Sequence, residues 1–532
     1  MPDRLDTPAA DERHPGLGAP AFARSASQTL AEQLSGHYAA RIRQRLLLPG
    51  ARLPSVREAA RRHRVSPSTV VAAYDQLLAN GLVEARRQRG FFVRDGDPSS
   101  LLRHGRRSGT APGHGPIADA LADPRARVAP GTPAGSSATG VTTELHAPAG
   151  AHVAPRGPLP PPPVDATALI RGMFQADRAR PAPGLGTLPA EWLDAAMLQS
   201  ALRRAMASEP GAAAALHYGE PAGDRRLREA LATRLADFGV PAAAGQIVTA
   251  NGATHALDIV TRGLLSPGDC VLVDEPGWSV EYARLTQLGM RLLPVPRGPE
   301  GPDLAVMEAL AAAHRPRLYV TVSVLHNPTG ASLSLASAHQ VLRLAERHDL
   351  RILEDDTYAH LAPAHLPRLS ALDGLRRTIY VSGFAKILTP GWRVGFLAAP
   401  PELAERFVDV KLLGTLTTPA LLERAVAICL EQGWLRRHAE RVMARLEAAR
   451  ARSVKLALAA GCRFVTPPAG LFGWVDTGAD TERLATEMLD DGWLLAPGSV
   501  FHPGRRPSTL MRINFATTQD AAFWKAYAGA RG

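Results

Sequence analysis

Apolar positions in the first hundred residues follow a helical period. Leu30, Leu34, Tyr38, Ile42 and Leu46 recur at that spacing and predict an amphipathic helix that stops before Pro49-Gly50. Ser55-Val56-Arg57-Glu58 is a capping box, so a second helix is expected from there toward Arg64. Ser66-Pro67 starts a third, with Val70, Tyr74, Leu77 and Leu78 as its buried face and Asn80-Gly81 as its end. Leu82 to Arg86 and Phe91 to Arg94 then read as short strands joined through Arg87-Gln88-Arg89-Gly90. From Tyr218 onward short apolar runs alternate with amphipathic helical segments such as Arg225 to Phe238 and Ala338 to His348. Strands are expected at Gln246 to Thr249, Cys270 to Val273, Arg291 to Pro294, Leu318 to Ser323, Arg351 to Leu353, Thr378 to Val381 and Val394 to Ala398. This alternation predicts an α/β body with a mostly parallel, covered sheet, whose ligands sit in loops beyond the strands' carboxyl ends.

Between the two patterned regions the pattern fails. From Pro98 to Pro163 there are thirteen prolines and few large apolar residues, too little to offset the entropy of ordering. The expected division is a disordered start over 1–26, a head over 27–95, a flexible linker over 96–165 and a body over 166–532. Within the body a large part runs from about 225 to 410 and a smaller α+β part from about 415 to 532.

Charge sharpens the reading of the head. Of a net +11 for the 532 residues, the stretch from Arg24 to Arg94 holds thirteen arginines against Glu32, Glu58, Asp75 and Glu84. Helix, helix, short turn, helix and basic hairpin make a winged helix-turn-helix for double-stranded DNA. Ser66, Ser68 and Thr69 stand at the start of its third helix, Ser55 and Arg57 at the start of its second, and Arg86, Arg87 and Arg89 on the hairpin. Three widely spaced cysteines, Cys270, Cys429 and Cys462, fit reduced thiols. The histidines have no metal-ligand spacing, and no apolar run is long enough to span a bilayer. With no apolar leader at the N-terminus, a cytoplasmic protein is expected.

The body's chemistry centres on Lys386, the first lysine in a chain that otherwise uses arginine almost throughout. Arginine supplies charge, but only an amine able to lose its proton attacks a carbonyl. Seven residues later comes Arg393, in Gly391-Trp392-Arg393-Val394-Gly395, placed to meet a phosphate. Asn251-Gly252-Ala253-Thr254 follows a strand and opens a helix, so its amides suit a phosphate as well. Trp278 can stack on a flat ring, Asn327 can donate to a phenolate oxygen, and Asp355 can keep a pyridine nitrogen protonated, with Tyr358 nearby.

These residues resemble, over roughly 181–530, the fold type I aminotransferases that carry pyridoxal 5'-phosphate (PLP). The resemblance implies that Lys386 holds PLP covalently and that Gly252, Ala253, Thr254 and Arg393 bind its phosphate. By the same likeness Trp278 stacks on the ring, Asn327 and Tyr358 contact its oxygen, and Asp355 pairs with its nitrogen. Tyr218 would reach a partner's phosphate across a homodimer, and Arg512 would fork onto a substrate α-carboxylate. Relatives place hydroxyl residues one and three positions before the lysine, where this chain has Ala385 and Gly383, and Ser382 is the expected substitute. Leu30 to Val93 resembles the DNA-binding domain of GntR-type regulators through Pro49-Gly50-Ala51-Arg52-Leu53-Pro54-Ser55-Val56-Arg57-Glu58. The two resemblances together match the MocR-type regulators and imply a PLP-dependent transcription factor sensing an amino compound or PLP. The alternative is a working aminotransferase with an accessory DNA-binding head.

Overall fold

The computed structural model describes residues 28–43, 47, 50–86, 90–94, 182–208, 216–504 and 506–531. The expected linker therefore lies outside the described residues, as do Leu46, Arg87 and Arg89.

In the head, α1 (Leu30–Arg43), α2 (Val56–His63) and α3 (Pro67–Ala79) are followed by the antiparallel pair β1 (Val83–Arg86) and β2 (Gly90–Val93). The expected strands shift by one residue because Val83 pairs with Val93 and Gly90 with Arg86. Both halves of the capping box form, Ser55 accepting from the Glu58 amide and Glu58 from the Ser55 amide. Leu34, Tyr38, Val70, Tyr74 and Leu77 are almost wholly buried and make the core. The Tyr74 hydroxyl donates to the Pro54 carbonyl at 2.9 Å, which ties the turn before α2 to α3.

The body is built on an eight-stranded sheet of β3 (Ile247–Ala250), β4 (Cys270–Glu275), β5 (Arg291–Gly298), β6 (Gly301–Pro302), β7 (Leu318–Thr321), β8 (Arg351–Asp355), β9 (Thr378–Gly383) and β10 (Gly395–Ala398). Their spatial order is β3-β10-β9-β8-β7-β4-β5-β6. The central strands are parallel, while β10 runs antiparallel to both β9 and β3. Most strands run past their expected ends, since β4, β5, β8 and β9 continue into polar or proline-bearing residues that apolar runs alone do not mark. Val394 drops out of β10 because Arg393 before it takes a left-handed φ of 52°. The helix expected from Ala338 begins at Leu335, because Ser334 caps it through the Ser337 amide.

The smaller part has a four-stranded sheet of β11 (Arg463–Phe464), β12 (Phe472–Asp476), β13 (Ala496–Pro497) and β14 (Leu510–Asn514) in the order β11-β12-β14-β13. It is antiparallel throughout. Long helices at Ala420–Glu431 and Trp434–Ala459 precede it. Residues 182–188, ahead of the helix Ala195–Ala207, run without regular structure beside β14, and their Leu185 and Thr187 carbonyls accept from the Asn514 side chain.

Candidate cofactor site and nucleic-acid interface

The parallel strands end on one edge of the sheet, and the candidate residues collect there. After β3 the chain turns through Gly252, at φ 82°, into the helix Ala253–Leu264, which has no side-chain cap. The first-turn amides, with Thr254 among them, are left open to an anion. Arg393 comes to the same place, its Nη2 donating to the Asn251 carbonyl at 3.2 Å. Gly252 has to be glycine, since its φ of 82° with ψ of 168° is a backbone conformation that essentially only glycine adopts. Gly383 is also constrained: a Cβ would lie 3.3 Å from the Ala253 amide nitrogen, so a hydroxyl side chain would crowd the cup. Ser382 does not substitute for the missing hydroxyl. It is buried and donates to the Asp356 carbonyl at 2.8 Å, because its side chain leaves the strand on the other face.

Lys386 follows β9 and is half-buried at the site. Burial, helped by Arg512 and Arg393 and opposed by Asp355, lowers its pKa to about 8, so a neutral amine is accessible near physiological pH. Asp355, at the end of β8, is pushed up to about 7 by burial, against the bonds it accepts from the Thr357 amide and hydroxyl. Tyr358 stands edge-on to Phe472 at 5.4 Å and is raised above its ordinary pKa by burial. Trp278 opens the helix Ser279–Gln287 and lines a cavity with Asp355, Tyr282, Thr321 and His326.

Arg512, on β14, is 5% exposed and lies between two rings, its guanidinium 4.5 Å from Phe472 and 5.0 Å from Phe501. Its partners are neutral: Nη1 donates to Asn327 Oδ1 at 2.8 Å and Nη2 to the Gly184 carbonyl at 2.5 Å, while Nε is unbonded. The other two buried arginines of the described residues have carboxylates, Arg297 with Asp274 and Arg368 with Asp356. Burial with no anion beside it lowers the Arg512 pKa to about 10. An arginine in this state has the charge and free N–H groups to accept an anionic ligand. Tyr218 stands apart from this cluster, 82% exposed at the surface.

One buried group escaped the sequence reading. The Asp274 carboxylate accepts from Tyr319, Thr321 and Arg297 at 2.5, 2.7 and 2.9 Å and forms the floor beneath the Trp278 cavity. The available signal was Tyr319 and Thr321, two polar-tipped residues on one face of an otherwise apolar strand.

An amine of lowered pKa, an uncapped helix start beside an arginine, a cavity lined by tryptophan and a carboxyl of raised pKa together suit a flat heteroaromatic aldehyde bearing a phosphate. The carboxyl also gives a pH test. Below about pH 4 the folded and unfolded chains both hold this proton, and from about 4 to about 7 only the fold keeps it. Stability of the cofactor-free protein should fall across that window and level off above it. Asp355→Asn should remove the slope and melt higher than wild type at pH 8, as differential scanning fluorimetry across pH would record.

In the head, Arg57 is exposed on the first turn of α2, and Ser66 and Ser68 are exposed at the start of α3. Ser55 and Ser66 spend their side chains on capping, Ser66 accepting from the Thr69 amide and bonding Ser68 and Thr69 through hydroxyls at 2.8 Å. Arg86 is exposed, pairs with Glu84 and lies over Phe92.

The model for aminotransferase class I and II matches residues 193–526, and that for bacterial regulatory proteins of the gntR family matches residues 30–93. The chain belongs to the aminotransferase class I and II family and carries a gntR-family DNA-binding domain ahead of it. Its architecture is that of the MocR-like HTH-type regulators. The uncharacterized HTH-type transcriptional regulator YdcR of Escherichia coli is 27% identical over 92% of this chain and 94% of its own. The probable rhizopine catabolism regulatory protein MocR of Rhizobium meliloti is 32% identical over 58% of this chain and 61% of its own. Among enzymes, 2-aminoadipate transaminase of Thermus thermophilus is 30% identical over 51% of this chain and 71% of its own. The solved alpha-aminoadipate aminotransferase LysN of Thermus thermophilus, complexed with N-(5'-phosphopyridoxyl)-L-leucine, superposes with a TM-score of 0.62 at 26% identity, covering 68% of this chain and 94% of that one. A regulator such as YdcR matches over 92% of this chain, whereas 2-aminoadipate transaminase matches over 51% of it, which favours regulation over catalysis as the role. Among the described residues no helix is long and apolar enough to cross a membrane.

Proposed function

We propose that this protein is a PLP-dependent transcriptional regulator that senses a carboxylate-bearing amino compound and changes its grip on operator DNA. The observation that carries the reading is the pairing of an amine of lowered pKa, Lys386, with Arg512, a buried cation that has no carboxylate of its own. Bound PLP supplies an aldehyde for amine exchange and an electron-withdrawing ring. This chain's residues do the rest. Lys386 presents its amine, Asp355 holds a proton at the ring nitrogen, and Trp278 covers one face of the ring. The Gly252 turn and Arg393 hold the phosphate, and Asn327 Nδ2 stays free to donate to the ring oxygen while its Oδ1 positions Arg512.

Homodimerisation belongs to the same proposal. Tyr218 at 82% exposed, Leu216 at 81%, Leu413 at 91% and Leu416 at 52% are large apolar or aromatic surfaces left uncovered in a single chain, and Gly219 packs against Thr418 and Ala420 next to them. A second copy covering this patch would bring Tyr218 to the partner's cofactor site. The head over 27–95 would bind double-stranded operator DNA in the cytoplasm, joined to the body by a flexible linker over 96–165.

The test is to titrate the PLP-loaded protein with amino acids and amines, following the cofactor absorbance and the DNA footprint together. A spectral change that moves the footprint supports regulation, and sustained turnover with a static footprint would transfer the role to catalysis. For the head, Arg57→Ala should weaken binding to promoter DNA and lower the slope of log K against log salt by about 1, as expected for one lost phosphate contact. Unchanged affinity and slope would place Arg57 away from the nucleic acid.

A further inference from the structure

Two of the five Arg512 N–H groups are already taken from inside the chain. The two terminal nitrogens donate to Asn327 Oδ1 and to the Gly184 carbonyl, the same pair of acceptors that a ligand carboxylate presents. Gly184 belongs to residues 182–188, a strap with no helix or strand of its own. Four polar attachments lay it along the small sheet. The Gly184 amide donates to the Leu494 carbonyl at 2.7 Å, its carbonyl accepts from Arg512, and the Leu185 and Thr187 carbonyls accept from Asn514 Nδ2 at 2.9 and 2.8 Å. Glycine is required for the approach. A Cβ at 184 would fall 2.4 Å from the Leu495 carbonyl carbon.

We propose that the strap is an internal competitor for Arg512, and that a ligand carboxylate is selected by its ability to displace the Gly184 carbonyl. The inference rests on the reading of Arg512 as the carboxylate receptor. A neutral carbonyl holds a guanidinium more weakly than a carboxylate does, because a bond with charge on both sides is roughly twice as strong. An amide or an alcohol offers Arg512 no more than Gly184 already gives, so it leaves the strap in place. A carboxylate takes the fork, and the strap then loses its bond to Arg512. In sequence the strap is the segment of the body nearest to the expected linker and head. Displacement therefore acts on the part of the chain that leads to the DNA-binding domain, which gives the body a way to report a bound acid.

The experiment uses the full-length, PLP-loaded protein with propionate, which has no amine to exchange with Lys386, and with its uncharged isostere propionamide. Amide hydrogen exchange is followed over residues 182–188. Propionate should raise exchange at the Gly184 amide, and propionamide should not. Gly184→Ala, in which the added Cβ forces the strap off Leu495, should exchange fast without ligand and bind propionate about fivefold more tightly, the weight of one net hydrogen bond. Arg512→Ala separates the two ideas. If it binds propionate as well as wild type does, Arg512 is not the receptor and the underlying reading fails. If it loses propionate while wild-type Gly184 stays protected with propionate bound, the receptor stands and the competing strap is overturned. An unchanged propionate affinity in a folded Gly184→Ala would overturn it as well.

Discussion

Lys386→Ala will abolish covalent capture of PLP: borohydride reduction followed by peptide mapping should recover label on Lys386 in the wild type and none in the variant. The amine's pKa of about 8 leaves a usable neutral fraction near pH 7, rising as pH passes through 8. The other lysines of the chain, Lys411, Lys455 and Lys525, lie elsewhere, and Lys411 is held by the Thr249 and Thr418 hydroxyls at 3.1 and 3.2 Å. The head has its own core and caps, so the variant should retain DNA binding while losing any response to amino ligands. Label on a different lysine in the wild type would move the reactive amine. An intact ligand response in Lys386→Ala would show that the signal does not pass through amine exchange.

The second large effect is on stability. Arg368 and Asp356 are 1% exposed each, joined at 2.6 Å, with the Tyr380 hydroxyl on the same carboxylate oxygen at 2.8 Å and the Arg368 guanidinium 4.4 Å from the Phe238 ring. Arg368→Ala removes the counterion from a carboxylate that water cannot reach, and the cost expected for such a break is about 3–5 kcal/mol. The urea midpoint should fall accordingly. The double variant Arg368→Ala/Asp356→Ala should recover part of the loss, because no unpaired charge then remains. The site should suffer too, since the Asp356 carbonyl fixes Ser382 and Asp355 precedes it in the chain. A loss below about 1 kcal/mol in the single variant would mean that the carboxylate finds another donor or takes up a proton.

What the sequence disclosed is what is decided locally. Ser55 and Glu58 are three residues apart and settle the start of α2 between themselves, and Ser66 does the same for α3. The loops of Asn251, Trp278, Asn327, Asp355 and Lys386 could be named because each directly follows a readable strand, and parallel strands must release their loops on one edge. Three features depend on pairings across the chain and left no local trace. The Gly184 carbonyl meets Arg512 from 328 residues away. Ser382 points at the Asp356 carbonyl, which depends on where β9 places alternate side chains and not on its nearness to Lys386. The strands of the small sheet, two to five residues long and antiparallel, are too short for their alternation to stand out, although β14 carries Arg512.

The reversed strand β10 carries a further consequence. Gly383 ends β9 and pairs with Gly395 at the start of β10, so the loop bearing both Lys386 and Arg393 is closed at its base like a hairpin. The Lys386 amine and the Arg393 guanidinium are thus two marks on one ruler of set length. Insertion or deletion of a residue between Lys386 and Arg393 shifts one mark against the other, and the closed base leaves no slack on either side to absorb it. Point substitutions at the loop's other positions leave that spacing intact, whereas a change in length between the two residues parts the aldehyde end of the site from the phosphate end.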